Sequence, residues 1–510
     1  MFKNALISVS DKTGLAEFVK PLVAEGLRIV SSGGTAKYLE DAGIAVTRVS
    51  EQTQFPEVMG GRVKTLHPYI HMPLLYRDQQ EDRDILKEHN LPPFDLVIVN
   101  LYPFGQGLEQ GKDFNAMVEL IDIGGPTLMR AAAKNFQAIT VVADPADYNA
   151  ILKNGEVNLA TRQKLAAKVF AHVSGYDQKI ANYLSAEGRS QNSESTEDVF
   201  SVKGQSVNTL RYGENPQQSG SWYKTEEQGL HKAEIIQGKP LSYNNLVDLD
   251  GACRTVTQFD APTVVSVKHN NPCGVASADT IHQALEKSLR ADPVSVFGGI
   301  ISSNQTLDGA CAESLSKLFL ECVIAPDYTA DALATFEKKK NLRILKWPSL
   351  AEGKVPPSKS FRSLWGGVLL QSTDRVEETP DTWTVHGRPP SSDEVRELMF
   401  AWRVCASLKS NAIAITGGQQ SLGLGMGQVN RVDAVRQAIG RAKEFHGTVS
   451  NWVLASDAFF PFADSITVAA EAGIQWIIQP GGSVRDEEVI AMAKEKNVNM
   501  IFTGKRHFLH

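Results

Sequence analysis

The chain has 510 residues, a net charge of −6 at neutral pH, 42% hydrophobic residues and 22% charged residues. Single hydrophobic cores stop growing near roughly 250 to 300 residues, so two to four domains are expected. The mildly acidic balance excludes a generally basic nucleic-acid binder and leaves any anionic ligand to local positive sites.

The first 150 residues alternate strand-like and helix-like segments. "NALISVS" (4–10), "LRIVSS" (27–32), "AVTRVS" (45–50), "DLVIVNLY" (95–102) and "AITVVAD" (138–144) read as strands, with helical stretches such as "TGLAEFVKPLVAEG" and "GTAKYLEDAG" between them. Nearly continuous apolar strands alternating with helices predict an α/β domain whose parallel sheet is covered on both faces. Ligands in such sheets sit beyond the C-terminal strand ends. From residue 161 to 184, apolar residues recur every three or four positions, from Leu165 and Val169 to Ile180 and Leu184. That spacing predicts a long amphipathic helix. The polar run "SAEGRSQNSESTED" after it reads as a linker. The expected division is a domain over 1–184, a linker over 185–200 and a second region over 201–510.

The second region carries two half-similar patterns. One has "VVSVKHNNPCGVA" and then "DPVSVFGGIISSN"; the other has "CASLKSNAIAIT" and then "ASDAFFPFADSI". A duplicated α/β unit, split near 201–365 and 366–510, is the expectation. The five cysteines contain no CxxC pair and do not form a disulfide-framework pattern. The N-terminal apolar stretch is too short for a secretory h-region, and no run approaches the roughly 18 apolar residues of a membrane span. A soluble cytoplasmic protein is expected, with neither nucleic acid nor membrane as partner.

In the first domain "SVSDKTG" and "IVSSGGTAK" each end a strand with serine and open a helix, an arrangement that suits an anion as well as an ordinary capped turn. Neither is a Walker A loop, and no GxGxxG follows a strand. "GGRVKTLHP" concentrates Arg62, Lys64 and His67; "NLYPF" places Asn100 and Tyr102 past a strand; "DIGGPTLMRAAAKN" places Asp122 before Gly-Gly-Pro, with Arg130 and Lys134 one turn apart. In this order these motifs resemble the IMP cyclohydrolase domain of the bifunctional purine-biosynthesis enzyme family. The resemblance implies a methylglyoxal-synthase-like parallel-sheet domain that closes formyl-AICAR (FAICAR) to IMP with loss of water. It implies that Lys64, Tyr102, Asp122 and Lys134 surround the reacting groups. Ser10, Lys12, Ser32, Gly33, Gly34, Thr35, Arg62, Thr65 and Asn100 would hold the nucleotide. Met72 and Pro73 depart from the small residues usual in the family.

In the second region Lys268 and His269 are adjacent. Neighbours on a strand point to opposite faces, so two groups serving one site suggest that the strand has ended, and Asn270, Asn271 and Pro272 agree. Zinc is disfavoured, because the deaminase pattern needs glutamate two after the histidine and a second cysteine; Asn271 and a single Cys273 stand here. "LRYGENPQQ" adds Arg211 and Tyr212, "KSNAIAI" adds Asn411, "GMGQVNR" ends at Arg431, and "SDAFFPFADS" holds Phe459, Phe460, Phe462 and Asp464. The tail "TGKRHFLH" carries Arg506 and His507 and reads by itself as a frayed end. As an ordered set these resemble the AICAR transformylase domain of the same family, which implies tandem cytidine-deaminase-like units without catalytic metal. The resemblance implies 10-formyltetrahydrofolate as co-substrate and AICAR, FAICAR and IMP as the other ligands. His269 would be the base, with Lys268 favouring the neutral imidazole and stabilising the oxyanion. Asn411 would hold the formyl oxygen. Arg211, Tyr212, Arg431, Phe459 and Arg506 would bind the ribotide, and Phe462 with Asp464 the pterin. Gln217 stands where the family commonly has histidine. A homodimer with shared transformylase sites is implied. The competing reading is a single-activity formyltransferase with an N-terminal nucleotide-binding regulatory module.

Overall fold

Five of the predicted strands pair in parallel: β1 (Asn4–Ser8), β2 (Arg28–Ser31), β3 (Thr47–Arg48), β4 (Leu96–Val99) and β5 (Thr140–Val142), in the order β3-β2-β1-β4-β5. Strand side chains alternate between faces, so each strand feeds two cores. Leu6, Val30, Val97 and Val141 pack with Leu128, Met129 and Val169 on one face. Ala5, Ile7, Ile29 and Ile98 pack with Leu15, Phe18 and Leu22 on the other. The third strand is shorter than expected, because Val49 and Ser50 open the helix Val49–Thr53. The long amphipathic helix forms as Leu159–Glu187 and so takes in the first residues of the expected linker.

This computed structural model describes residues 2–154, 157–187, 202–353, 359–447 and 451–510, and the rest of the expected linker lies outside them. The chain divides into two compact units, 1–201 and 202–510. The second unit opens with a hairpin, β6 (Gln205–Leu210) and β7 (Gly220–Lys224). A six-stranded sheet follows, from β8 (Glu234–Gln237), β9 (Thr263–Lys268), β10 (Asn271–Ser277), β11 (Ile300–Ser303), β12 (Cys322–Ala325) and β13 (Arg343–Lys346), in the order β10-β9-β11-β12-β13-β8. An exposed hairpin, β14 (Lys359–Leu364) and β15 (Gly367–Ser372), precedes a second six-stranded sheet. That sheet has β16 (Thr384–His386), β17 (Ile413–Thr416), β18 (Ser421–Gly425), β19 (Val453–Ser456), β20 (Trp476–Gln479) and β21 (Asn499–Phe502), in the order β16-β21-β20-β19-β17-β18.

Read strand for strand, the two sheets have the same topology, so the unit is a structural repeat. The motif pairs that suggested it are out of register, however. Lys268 ends β9, whereas Lys409 precedes the equivalent β17. Phe297 precedes β11, whereas Phe459 follows the equivalent β19. The two halves meet where β10 runs antiparallel to β18 through Ala276 and Gln420, with Val275 N–H donating to Ser421 Oγ at 2.9 Å. Because β9 opposes β10 and β17 opposes β18, β17 begins at the side where β9 ends. Motifs at opposite ends of equivalent strands thereby reach one side of the unit.

Candidate active sites

In the first unit the loops after β1, β2 and β4 are stitched together by side chains. Asn100 Oδ1 accepts the N–H groups of Ser10 (2.7 Å) and Asp11 (2.9 Å), and its amide donates to Asp11 O. Thr35 Oγ1 exchanges hydrogen bonds with the backbone of Val9. Asn100 and Thr35 therefore shape the loops, with much of their polar capacity spent on backbone. Lys12 Nζ donates to Ser10 O at 3.2 Å. Gly33, at φ +52°, opens the helix Gly33–Asp41, and a Cβ there would lie 3.1 Å from Lys64 Nζ. Ser32 Oγ is buried with no hydrogen-bond partner among the described residues, and a Cβ at Gly34 would meet open space. An unpaired hydroxyl, free helix-terminal N–H groups and an ammonium around open space fit an anionic oxygen.

Asp122 lies beside this ammonium. Its Oδ1 accepts Gly125 N–H at 2.8 Å, and Tyr176 OH accepts Asp122 N–H at 2.8 Å. Burial pushes the Asp122 carboxyl above its ordinary value, against the pull of N–H groups from Gly125 and Tyr102 and the charge of Lys64. Burial and the nearby Asp122 also raise the Tyr102 phenol. The Gly-Gly pair is steric in origin: a Cβ at Gly124 would stand 2.7 Å from Thr65 Oγ1, and one at Gly125 would strike Asp122 and Leu101. Arg62 is exposed and pairs with Glu119. Lys134 stands apart. It is exposed in the last turn of the helix Gly124–Lys134, about 15 Å along the axis from Asp122's end, and lines a cavity with Leu75, Arg130 and Phe170. Sequence spacing hid this, because ten residues of helix separate the two groups.

Met72 and Pro73 fall inside the helix Pro68–Leu75. Proline there frees the carbonyl of Tyr69, and Gln52 Nε2 takes it at 3.3 Å. On the same helix His71 was not singled out by sequence. Burial lowers its pKa, the Thr65 carbonyl opposes that, and its Nε2 has no partner among the described residues. Only its nearness to Thr65 in space marks it.

In the second unit β9 does end at Lys268. His269 (φ +55°) and Asn270 (φ +57°) are the two central residues of a tight turn into β10, the type I′ geometry favoured in two-residue hairpins. Lys268 Nζ donates to Phe297 O at 2.6 Å. Both side chains line a cleft of about 300 Å³ whose far wall includes Leu424, Met426 and Arg441. Arg441 is bound to Asp292 at 2.6 Å. Asp248, which sequence reading passed over, accepts Asn270 N–H at 2.6 Å. Burial raises its carboxyl, and His269 and the turn N–H groups oppose this. Burial pushes the Cys273 thiol up to about 12, and its Sγ donates to Ser266 O. Among the described residues no three His, Cys, Asp or Glu side chains gather as a metal site.

Asn411 and Arg431 form a second cluster. Arg431 Nη2 donates to Asn411 Oδ1 at 2.7 Å, and Arg431 Nη1 pairs with Asp457, which is 0% exposed against 6% for Arg431. Arg431 was expected at the ribotide; its guanidinium instead neutralises a buried carboxylate, a pair that breaks at high cost when one partner is removed. Asn411 Nδ2 donates to Gln428 O, which leaves one N–H of that amide for a ligand. Phe460 is core, whereas Phe459 and Phe462 are exposed, the latter under Arg485. Asp464 opens the helix Asp464–Glu471. Arg211 lies over Tyr212 in the loop after β6, and Arg506 over Phe508. Gln217 is exposed in the turn that Asn215 and Gln218 close. The tail is pinned: His507 is 3% exposed between Asp374 (2.7 Å) and Glu378 (3.2 Å), and Lys409 Nζ holds His510 O.

A family model described as the AICARFT/IMPCHase bienzyme matches residues 132–441, and one described as an MGS-like domain matches 14–127. A bifunctional purine biosynthesis protein PurH of Synechocystis sp. is 50% identical over the whole of both chains. The chain belongs to the AICARFT/IMPCHase bienzyme family. The PurH proteins of Caldicellulosiruptor saccharolyticus and Persephonella marina are 48% and 45% identical, again over both full lengths. A solved structure titled "Crystal structure of ForH" is 32% identical over 36% of this chain and 98% of its own, with a TM-score of 0.33. As a member of the bienzyme family the protein is an AICAR formyltransferase and IMP cyclohydrolase of purine biosynthesis, with an MGS-like N-terminal domain. The single-activity reading is set aside, because these full-length relatives are named bifunctional. The formyl donor of such a transferase is folate-derived. No helix among the described residues is long and apolar enough to cross a membrane.

Proposed function

We propose that the two reactions use two separate pockets, each working through lysine and an acid–base partner. The observation that carries the first is the placement of Lys64 between the Ser32–Thr35 loop and Asp122. There FAICAR would set its phosphate against Ser32, Gly33, Gly34 and Lys12. Asp122 orients the carboxamide and takes its proton as nitrogen attacks the formyl carbon. Lys64 stabilises the developing oxyanion and protonates it to a hydroxyl; Asp122 then returns its proton to that oxygen, the C–O bond breaks with loss of water, and the nitrogen that carried the formyl group gives its N–H proton back to Lys64 as the ring C=N bond forms. Intramolecular attack needs mainly alignment. Tyr102 borders the site, and Lys134 stands at the opposite end of the helix that Asp122 precedes.

In the second unit 10-formyltetrahydrofolate is the donor. The 5-amino group of AICAR attacks the formyl carbon, His269 accepts its proton, and Lys268 stabilises the tetrahedral oxyanion. The C–N bond to folate then breaks, and the imidazolium returns the proton to the departing nitrogen. No step requires a metal. Asn411 offers its remaining amide N–H to the formyl oxygen, Arg211, Tyr212, Phe459 and Arg506 serve the ribotide, and Phe462 with Asp464 serves the pterin.

These groups lie in several places on one chain. Together with the exposed apolar hairpin Lys359–Ser372, whose Trp365 is fully exposed, that supports a homodimer in which two chains complete each transferase site. The matched topology of the two sheets, each with a helix between successive strands except across its one hairpin, supports a tandem cytidine-deaminase-like ancestry, and a cytoplasmic location agrees with the chemistry. The test separates the pockets. Lys64→Met should abolish IMP formation from FAICAR and spare formyl transfer, whereas His269→Ala should do the reverse. Loss of both activities in either variant would refute the two-pocket assignment.

A further inference from the structure

His269 occupies a backbone conformation that histidine adopts uncommonly and most bulky residues avoid. Its neighbour Asn270 does the same. A two-residue turn built without glycine needs outside support to persist at an exposed cleft. The helix Tyr243–Val256 supplies it. This helix is fixed at its start by a reciprocal cap between Ser242 and Asn245. One turn further on, Asp248 and Gly251 share a face, three residues apart. Asp248 Oδ1 accepts Asn270 N–H at 2.6 Å, and the N–H of His269 also favours the charged carboxylate. Gly251 gives the turn its room: a Cβ there would stand 2.6 Å from Asn270 Oδ1. From the other side Asn271 Nδ2 donates to His269 O at 2.9 Å. The backbone of the turn is thus held while the imidazole is left exposed to the cleft.

We infer that Asp248 is a positioning residue for formyl transfer, fixing the left-handed turn that aims His269 into the cleft, with Gly251 as the clearance that lets it do so. The inference rests on the assignment of His269 as the base. Asp248 touches no reacting atom; it acts through the turn backbone, by its hydrogen bond from Asn270 N–H. A carboxylate that accepts backbone N–H groups makes the stronger kind of hydrogen bond, and its loss frees the turn to relax toward φ below zero.

The test uses the full-length enzyme with AICAR and 10-formyltetrahydrofolate. Cyclohydrolase activity on FAICAR and the melting temperature of the same preparation serve as controls. Asp248→Ala should lower kcat for formyl transfer by about tenfold or more while the KM for AICAR stays within about twofold, since the charge-assisted support of the turn is lost but no substrate contact is. A second change, Asn270→Gly, should restore most of that kcat in the Asp248→Ala background, because glycine adopts positive φ without support. If Asp248→Ala transfers formyl at the wild-type rate while His269→Ala is inactive, the inference is wrong and the base assignment stands. Failure of Asn270→Gly to restore the rate would also overturn it, since the carboxylate would then act otherwise than through the turn. An active His269→Ala would remove the assignment beneath both.

Discussion

Asp122 illustrates how one residue's surroundings set its chemistry. Burial is the largest influence and raises its pKa; N–H groups from Gly125 and Tyr102 and the charge of Lys64 pull the other way without cancelling it. The cyclohydrolase reading needs the ionised carboxylate, so activity should be lost as pH falls through a value above the ordinary 3.8 of aspartate. The sign of a second effect follows. Lys64 favours the charged form, so replacing it with methionine should move the acid limb of any residual activity further upward. Asp122→Asn should reduce IMP formation by about a hundredfold or more, the usual scale for a lost acid–base group, and the residual rate should have no acid limb. Initial rates on FAICAR between pH 4 and 8 check this, and an unchanged limb in Asp122→Asn would assign the titration elsewhere.

At the scale of elements, the C-terminal segment after β21 is held by His507. Burial disfavours its imidazolium, yet Asp374 and Glu378 outweigh that penalty and raise its pKa above 6.5. A raised folded-state pKa contributes stability that is complete below the unfolded value and fades as pH climbs through the folded one. His507→Gln should therefore lower the melting temperature most near pH 6 and progressively less toward pH 9. A difference that grows with pH would mean that the pair is not charged. The sequence could not announce this clamp, because His507 lies some 130 positions from Asp374 and Glu378 and each is unremarkable alone. The parallel sheet was legible for the opposite reason: strands such as Leu96–Val99 are buried on both faces and must be apolar throughout. The turn at His269 was legible because asparagine and proline follow it. Asp248 was not, since its value lies in which helix face meets that turn. Lys64 and Asp122 were read from motif and resemblance. Lys134 was read with them, and within one chain it stands at the far end of its own helix.

For the molecule as a whole, the two units have separate cores and separate candidate pockets, so defects in one chemistry should not spread to the other. In the proposed homodimer the transferase site would be the exception to one-chain self-sufficiency. Lys268 and His269 face one cleft, while Arg506 lies beside the pinned tail and Arg211 in the loop after β6. If a second copy brings its Arg506 to the first copy's His269, two inactive variants can repair each other. In a mixed dimer of His269→Ala and Arg506→Ala, one site would carry both changes and the other neither. Random reassociation of equal amounts makes about half the dimers mixed, so about a quarter of all sites regain wild-type composition in a two-fold assembly. Formyl transfer should rise from near zero toward that fraction after co-expression, while cyclohydrolase activity stays at the wild-type level in both variants and in the mixture. If each chain builds its own site, every site keeps one defect and mixing recovers nothing. Trp365→Ser on the exposed hairpin adds the structural half of the argument: it should weaken association in sedimentation and depress formyl transfer together, with the cyclohydrolase again as the unaffected reference.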